Sequence, residues 1–371
     1  MQVLLQGLIT SHHLIRKMGA SQSSRVPVPE KMKRVVLVSP NSDMEQVSLK
    51  VETVDVPKPK SGQVLIKVAA SPVNPSDYGV WVRSNPQDWT PKPQGHEGSG
   101  IVVASGGGFS TMGLVGKKVG FVNLPRDQGS YSEYVTVDAM TGVFPMPEDL
   151  PVEAAASFFV NPYTAYGILE TAQKSGGKAF IHTAAASQLG QMLVRLMQEK
   201  NTGMELINVV RRAEQVELLK SLGAKHIVNT SEENWKANLK ALSKKLDAKV
   251  AFDAVAGEMT GDLLQLLPRK SKVWVYGVLG GHLRNIDPIA LIYFNKKVEG
   301  FLLSRWLRAG GIVITIARIR RATAAVSSGL RDGWSKTEYV DTTIEGMQKD
   351  FLKLYKTEGF TNKKLRVRFD D

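Results

Sequence analysis

The sequence predicts an α/β protein in which a β-rich N-terminal domain precedes a doubly wound parallel-sheet domain. Before Val152, short apolar runs separated by glycines and prolines indicate strands joined by tight turns. From Val152 onward, strand patterns alternate with helical patterns, which is typical of a parallel sheet covered by helices on both faces. At 371 residues, of which 43% are hydrophobic, the chain is long enough to form two cores.

The strands of the β-rich half are indicated by short runs of apolar and β-branched residues. They are predicted at residues 33–38, 64–69, 99–104, 118–122 and 132–137, with a proline-rich turn at 56–62.

The second half is predicted to alternate helices with strands, and its last strand is expected to fold back onto the β-rich half. Helices are predicted at 152–159 and 165–173, from Leu189 onward, and at 214–222 and 344–354, and strands at 178–182, 205–210, 250–253, 272–277, 297–302 and 364–369.

Residues 180–190 join a buried strand to an amphipathic helix through a turn of small residues. A dinucleotide pyrophosphate binds at such a turn, because backbone N–H groups and the helix N-terminus attract an anion. In the G-x-G-x-x-G fingerprint the first two glycines let the backbone turn and approach the phosphates, and the third lets helix and strand pack closely. Those positions hold Ala185, Ser187 and Gly190. Because only the last of the three is glycine, the prediction of a pyrophosphate site depends on the complete strand-helix-strand unit around the turn.

Two arginines follow the second strand of this unit. At this position an NAD enzyme often carries an acidic residue for the ribose 2′-hydroxyl, whereas a 2′-phosphate requires arginine. Arg211 and Arg212 stand there without an acidic neighbour. They favour NADPH over NADH, and the alternative is a solvated start of the next helix.

Composition excludes several classes of site. The absence of cysteine excludes disulfides, thiolate zinc ligands and a cysteine nucleophile. A net charge of +13 suits an acidic partner, such as a coenzyme A thioester, an acyl carrier protein, an anionic membrane or a nucleic acid. The basic residues are spread along the chain, so no dedicated nucleic-acid surface is expected. No apolar run is long enough to span a bilayer.

The N-terminal segment fits a mitochondrial presequence. It contains Arg16, Lys17 and Arg25, several serines and no acidic side chain before Glu30. A disordered tail or an upstream translated segment is the alternative, with a cytoplasmic location. A start at Met18 would create a myristoylation signal.

Four motifs in a fixed order resemble the medium-chain dehydrogenase/reductase superfamily over roughly residues 32–371. They lie at 74–77, 95–100, 129–134 and 161–166, and the stretches at 207–211, 276–279 and 300–306 are most similar to its mitochondrial 2-enoyl thioester reductases and zinc-free quinone oxidoreductases. The resemblance implies a tail or targeting segment at 1–31, a catalytic GroES-like domain at 32–155, a Rossmann NADPH-binding domain at 156–310, and a segment at 311–371 that returns to the catalytic domain.

The resemblance also implies how NADPH binds. Residues 186–189 would form the phosphate turn, and the strand end at 276–279 would lie at the ligand-binding edge of the sheet. Asn161 and Thr164 would position the nicotinamide, and residues 301–303 would flank it. The cofactor-binding residues so implied are Asn161, Thr164, Ala186, Ser187, Gln188, Leu189, Arg211, Arg212, Tyr276, Gly277, Val278, Leu279, Phe301, Leu302, Leu303 and Lys363.

Asn74 and Tyr78 are the candidate catalytic residues. The thioester reductases resembled here donate a proton from a tyrosine a few residues beyond the Asn-Pro motif, where this chain has Trp81 or Asn85, depending on the alignment. Neither is a general acid at neutral pH. Tyr78 is the nearest phenol, with a packing role as its alternative. Quinone reduction tolerates the loss better, because the product oxygens can take protons from water.

The two histidines near these motifs are interpreted as structural. Zinc alcohol dehydrogenases of the superfamily place a histidine ligand in the Gly-His-Glu motif, but a catalytic zinc needs about three protein ligands. The cysteine ligands of that family are missing, so His96 is predicted to be structural and no metal is expected. His182, at a strand end, is predicted to be packed or hydrogen-bonded.

The leading hypothesis is an NADPH-dependent, zinc-independent reductase of an α,β-unsaturated thioester or carbonyl, or of a quinone. It would act on a small-molecule or acyl-thioester substrate, without a nucleic-acid partner, as a homodimer. The alternative is a catalytically impaired, reductase-like subunit of a larger assembly, motivated by the replaced tyrosine and the basic surface.

Overall fold

The N-terminal half is built from antiparallel strands. The computed structural model describes residues 27–123 and 128–369, so most of the segment at 1–31 lies outside the described residues. One sheet has the order β2-β1-β4, and a second places β5, β6 and β8 in succession beside β3, with β7 also paired to β3. The strands are β1 (Lys31–Ser39), β2 (Ser48–Asp55), β3 (Gln63–Pro72), β4 (Lys92–Pro93), β5 (Glu97–Ser105), β6 (Lys118–Val122), β7 (Tyr134–Asp138) and β8 (Val143–Pro145).

The second half contains a six-stranded parallel sheet with the order β11-β10-β9-β12-β13-β14. From β9, the chain first adds β10 and β11 on one side and then β12 to β14 on the other. This change of direction places a ligand crevice outside the carboxyl ends of β9 and its neighbours. The strands are β9 (Ala179–Thr183), β10 (Glu205–Val210), β11 (His226–Asn229), β12 (Ala248–Asp253), β13 (Lys272–Val275) and β14 (Lys297–Gly300).

Helices cover this sheet, and the first and last described helices pack instead in a core of the β-rich half. Those in the described residues are α1 (Pro75–Arg83), α2 (Val160–Gln173), α3 (Gln188–Lys200), α4 (Ala213–Ser221), α5 (Trp235–Lys245), α6 (Met259–Leu266), α7 (Pro288–Ile292), α8 (Leu303–Arg308), α9 (Gly311–Asp332) and α10 (Met347–Tyr355). None of them is long and apolar enough to cross a membrane.

The chain returns to the β-rich half through two late strands. β15 (Tyr339–Thr342) pairs in parallel with β16 (Lys364–Arg368), and β16 pairs antiparallel with β3, where Val367 lies opposite Ser71. The preceding α9 packs instead on α2, where the hydroxyls of Tyr163 and Thr323 are 2.6 Å apart. The return to the β-rich sheet is therefore made by residues after α9.

A shared core holds the two halves together at α2. Val122 and Phe144 of the β-rich half belong to the same buried cluster as Phe180 and Phe252 of the parallel sheet. Phe144 stacks on Phe158, just before α2, with ring centroids 5.6 Å apart. The first turn of α2 is thereby placed between the two halves.

Several helices differ from the sequence prediction, which does not include α1 or the helices α5 to α9. α1 forms at Pro75–Arg83 because Pro75 occupies its first turn and the Asp77 carboxylate accepts a hydrogen bond from the backbone N–H of Asn74 at 2.7 Å. The predicted helix at 152–159 is a short 3-10 turn at Val152–Ala155 followed by α2.

Candidate functional site

The turn between β9 and α3 has the geometry of a phosphate-binding turn. Ser187 is the N-cap of α3, and its hydroxyl accepts a hydrogen bond from the backbone N–H of Gly190 at 3.3 Å. A Cβ on Gly190 would lie 2.2 Å from the carbonyl oxygen of Ala185, so glycine is required for the close approach of helix and turn. Ala184 has φ of 49°, a left-handed conformation that favours glycine. The turn is tight, and the N-terminus of α3 is directed at the crevice edge.

Gln188 and Leu189 contribute to this turn through their backbone. The Gln188 side chain is buried, donates to the carbonyl of Asn362 and accepts from the backbone N–H of Glu338 at 3.0 Å. Leu189 is also buried. The side chain of Gln188 therefore connects the turn to the C-terminal part of the chain.

Asp253, at the end of β12, organises the neighbouring strand ends. Its carboxylate accepts hydrogen bonds from the hydroxyls of Thr183 at 2.7 Å and Thr260 at 2.6 Å and from two backbone N–H groups. Burial raises the pKa of Asp253, and these hydrogen bonds oppose the rise. Asp253 was not among the predicted site residues, although an acidic side chain at the end of a buried strand is the signal for it.

The two arginines after β10 have different surroundings. Arg212 is paired with Glu214, and its guanidinium also lies 3.4 Å from a carboxylate oxygen of Glu358. Arg211 is exposed and forms no ion pair with any residue that the structure describes. Arg211 is therefore the guanidinium available to an added anion.

The strand ends on the other side of β12 are aromatic. The Tyr276 hydroxyl lies 2.6 Å from Nε2 of His182, and the two rings stack. Phe301 packs edge-on against Phe252, and its ring would be 3.1 Å from a Cβ on Gly167 of α2. The adjacent predicted residues Gly277, Val278, Leu279, Leu302 and Leu303 are half-buried or exposed.

His182 is expected to make the fold sensitive to acid. Complete burial lowers its pKa to about 3, whereas an unfolded histidine titrates near 6.5. Below pH 6.5 the unfolded chain therefore binds a proton that the folded chain excludes, and stability falls by about 1.4 kcal/mol per pH unit. The free energy of unfolding, measured with urea, should be about 2 kcal/mol lower at pH 5 than at pH 7 in the wild type, and His182→Phe should remove this difference. The exposed His282, changed to Gln, is the control; His182→Phe with the wild-type pH dependence would contradict the assignment.

A buried polar cluster lies where β16 passes the start of α1. Lys364 Nζ donates to Asn74 Oδ1 at 2.5 Å and is 3.9 Å from a carboxylate oxygen of Glu97. Asn74 donates in turn to Glu97 at 2.9 Å. Glu97 also accepts from the backbone N–H groups of Phe159 and Val160, at the N-terminus of α2. The cluster therefore joins the predicted catalytic Asn74 to the helix that carries Asn161.

Lys364 is the cationic member of this cluster. Burial lowers its pKa to about 8, and the nearby Glu97 opposes the shift. The preceding Lys363, which the resemblance assigned to the cofactor, has an exposed side chain. Because successive residues in an extended chain face opposite sides, only Lys364 points into the junction of the two halves.

Asn161 and Thr164 lie on the first turn of α2, adjacent to this cluster. Both are buried, and the Thr164 hydroxyl donates to the carbonyl of Val160 at 2.6 Å. The polar surface that they present is therefore contributed mainly by Asn161.

Residues 358–364, called the bridging segment below, contact each part of the site in turn. Glu358 meets Arg212, Asn362 accepts from Gln188, and Lys364 donates to Asn74. A single continuous segment, which includes a 3-10 turn at Phe360–Asn362, thus links the arginine end, the phosphate turn and the buried cluster.

The three positions considered for proton donation, two of them in α1, do not place a donor at the buried cluster. Tyr78 is buried among aromatic rings, including Phe351 with ring centroids 5.5 Å away, and its hydroxyl has no partner among the described residues. Burial raises the pKa of Tyr78 further above its usual value. Trp81 donates to Gln94 at 2.9 Å, and the exposed Asn85 caps a short 3-10 turn. Tyr78 thus has the packing role that the sequence left as its alternative.

His96 is held by a carboxylate. Its Nδ1 contacts the buried Asp77, which also accepts from the hydroxyl of Tyr131 at 2.9 Å. Within residues 27–123 and 128–369, no group of three His, Asp or Glu side chains could hold a metal ion. The Nδ1 atom of His96 is therefore engaged by Asp77, and its structural role stays a prediction.

Comparisons with known proteins cover both halves. Residues 60–148 match the alcohol dehydrogenase GroES-like domain, and residues 189–317 match the zinc-binding dehydrogenase family. The mitochondrial enoyl-[acyl-carrier-protein] reductase of Xenopus tropicalis is 30% identical over 269 residues, which cover 70% of this chain and 74% of that protein. The human protein of the same name is 29% identical over 299 residues, covering 78% of this chain and 77% of that one.

A solved structure supports the same placement. A putative NADPH:quinone reductase from Mesorhizobium loti superimposes with a TM-score of 0.80 at 30% identity, covering 93% of this chain and 100% of that one. The predicted fold class, a GroES-like N-terminal domain with a Rossmann-type sheet domain, is confirmed by the family matches, and the oxidoreductase character is confirmed by these relatives. The chain belongs to the medium-chain dehydrogenase/reductase superfamily and is an oxidoreductase of the reductase type.

Proposed function

We propose that the protein is an NADPH-dependent, zinc-independent reductase of an α,β-unsaturated thioester or carbonyl, or of a quinone. The observation that carries this proposal is the bridging segment, which contacts Arg212 next to the unpaired Arg211, meets the phosphate turn, and contributes the buried ammonium group of Lys364. Nicotinamide cofactors are common to the superfamily. The named relatives include enoyl reductases and a quinone reductase, which supports both acceptor classes.

The residues present fit NADPH. The turn at Ser187 offers backbone N–H groups and a helix N-terminus to the pyrophosphate. Arg211 is free to form charge-assisted hydrogen bonds with the 2′-phosphate. Asn161 and Phe301 would contact the nicotinamide at the junction of the two halves. When bound, the cofactor supplies the hydride.

Lys364 and Asn74 supply what the missing tyrosine would provide. Hydride addition to an enoyl thioester or a quinone leaves negative charge on a carbonyl oxygen, which a buried ammonium group and an amide N–H stabilise. In the enoyl case the hydride bonds to the β carbon and the electron pair of the C=C bond moves toward the carbonyl. The Lys364 ammonium then gives its proton to the α carbon, and the neutral amine regains a proton from water. A quinone takes the proton on oxygen instead.

In a second candidate function, the chain keeps the reductase fold but serves as a structural subunit of a larger assembly. Burial of the Tyr78 hydroxyl and the packing of Trp81 favour it, because the usual tyrosine is missing. NADPH oxidation with a crotonyl thioester and with a small quinone separates the two. Turnover with either acceptor supports the enzyme, and NADPH binding with no turnover on any acceptor supports the subunit.

We further propose a homodimer formed through the edge of the parallel sheet. β14 lies at the end of that sheet, and the neighbouring α7 exposes Ile289, Ile292 and Tyr293. Sedimentation equilibrium should give twice the chain mass, and Ile292→Asp should give the chain mass.

A mitochondrial location is supported by the names of the relatives, and import into isolated mitochondria would test it.

A further inference from the structure

The segment around α8 and α9 is strongly basic. Residues 301–331 contain six arginines and no lysine, aspartate or glutamate. Such a run attracts anionic surfaces, and the attraction decreases with salt. Any acidic partner of these arginines must therefore come from outside residues 301–331.

Half of these arginines are already used within the fold. Arg318 is buried against Glu170, Arg331 pairs with Asp149 at 2.7 Å, and Arg321 lies 4.0 Å from Glu170. The remaining three are exposed and form no ion pair with any residue in the described parts of the chain. They are Arg305, Arg308 and Arg320.

The outer face at the start of α9 is apolar. Ile312, Val313 and Ile316 are 73%, 76% and 49% exposed. At 3.6 residues per turn they share a face with Arg320, opposite the face that Arg318 and Ala322 bury. An ordinary surface helix carries polar residues on its outer face. This helix instead presents large apolar side chains to the solvent, close to three unpaired cations.

We propose that this surface, formed by Arg305, Arg308, Ile312, Val313, Ile316 and Arg320, binds an anionic lipid bilayer. The apolar side chains would enter the boundary between headgroups and acyl chains, and the arginines would contact lipid phosphates. Charge selects this occupant over the same surface of a second copy, because residues 301–331 contain no acidic residue and such a contact would bring arginines against arginines. The proposal does not depend on the reductase activity.

Flotation of the full chain with vesicles tests the proposal. Binding is expected to vesicles of phosphatidylcholine with phosphatidylglycerol and not to phosphatidylcholine alone, and high salt should weaken it. Ile312→Ser with Val313→Ser, and separately Arg305, Arg308 and Arg320 all changed to Gln, should each reduce binding at least about tenfold, since both apolar insertion and charge contribute. The matched control changes Lys240, Lys244 and Lys245 of α5 to Gln, which removes the same charge from an exposed helix elsewhere.

The outcomes are distinguishable. Unchanged circular dichroism and unchanged thermal unfolding show that the variants remain folded. Retained binding by the lysine control, with loss in both other variants, supports the proposal. Equal loss in the lysine control would show that net charge alone is responsible and would overturn it. Equal binding to both vesicle types, or a change of oligomeric state in the serine variant without lipid, would overturn it as well.

Discussion

Changing Lys364 to Met is expected to lower kcat by about 10²- to 10⁴-fold with the enoyl thioester, the range typical of a lost general acid. The Nζ of Lys364 lies 2.5 Å from Asn74 Oδ1, inside the junction of the two halves. Tyr78 is buried among aromatic rings, Trp81 donates to Gln94, and Asn85 caps a 3-10 turn, so none of them is placed as the proton donor. With a quinone the loss should be smaller, because its product oxygens can be protonated by water. Initial rates at saturating NADPH measure both effects.

The pH profile tests this role apart from folding. Burial lowers the pKa of Lys364 to about 8, so the ammonium form dominates below pH 8 and is lost above it. Wild-type kcat should therefore decrease as pH rises through 8, and Lys364→Met should lack that decrease. The exposed Lys363, changed to Met, should retain the wild-type profile. If Lys364→Met kept both the rate and the profile, the ammonium would have only a structural role.

Changing Arg211 to Ala is expected to weaken NADPH binding by about 1.5 to 3 kcal/mol, which corresponds to roughly 10- to 150-fold in Kd. The guanidinium of Arg211 has no internal partner among the described residues, so its charge is available to the 2′-phosphate. Arg212→Ala should cost less, because Glu214 and Glu358 already neutralise Arg212. Fluorescence titration with NADPH and NADH measures the Kd of each.

NADH is the internal control for this change, because it lacks the 2′-phosphate. Its Kd should be nearly unchanged in Arg211→Ala. Equal weakening of both nucleotides would indicate a disturbed turn, and an unaffected NADPH Kd would show that Arg211 does not contact the phosphate.

The fold class and the parallel unit were predictable from local patterns. The strand at 205–210 is observed with the predicted bounds, because its apolar and β-branched residues, interrupted only by Asn208, are followed by two arginines. α1 was missed although Asn74, Pro75 and Asp77 form a recognisable start signal. α9 was not predicted either, since its first turns are apolar on both faces and show no helical periodicity.

The buried cluster was not predictable, because its members are far apart in the chain. Asn74 and Lys364 are separated by 290 residues and meet only when β16 pairs with β3. The resemblance, carried over position by position, assigns Lys363 to the cofactor. In the structure Lys363 is exposed and its neighbour Lys364 is buried, because a shift of one residue in a strand exchanges the two faces. Side-chain direction therefore depends on tertiary pairing that the sequence does not display.

The most direct test of the central claim is anaerobic mixing of the NADPH-loaded protein with a crotonyl thioester or a quinone, followed by nicotinamide absorbance and product mass. The proposed reductase predicts loss of one NADPH for each molecule of acceptor reduced, with rapid loss in the wild type and slow loss in Lys364→Met. Stable NADPH absorbance in the wild type with every acceptor, despite saturated binding, would contradict it.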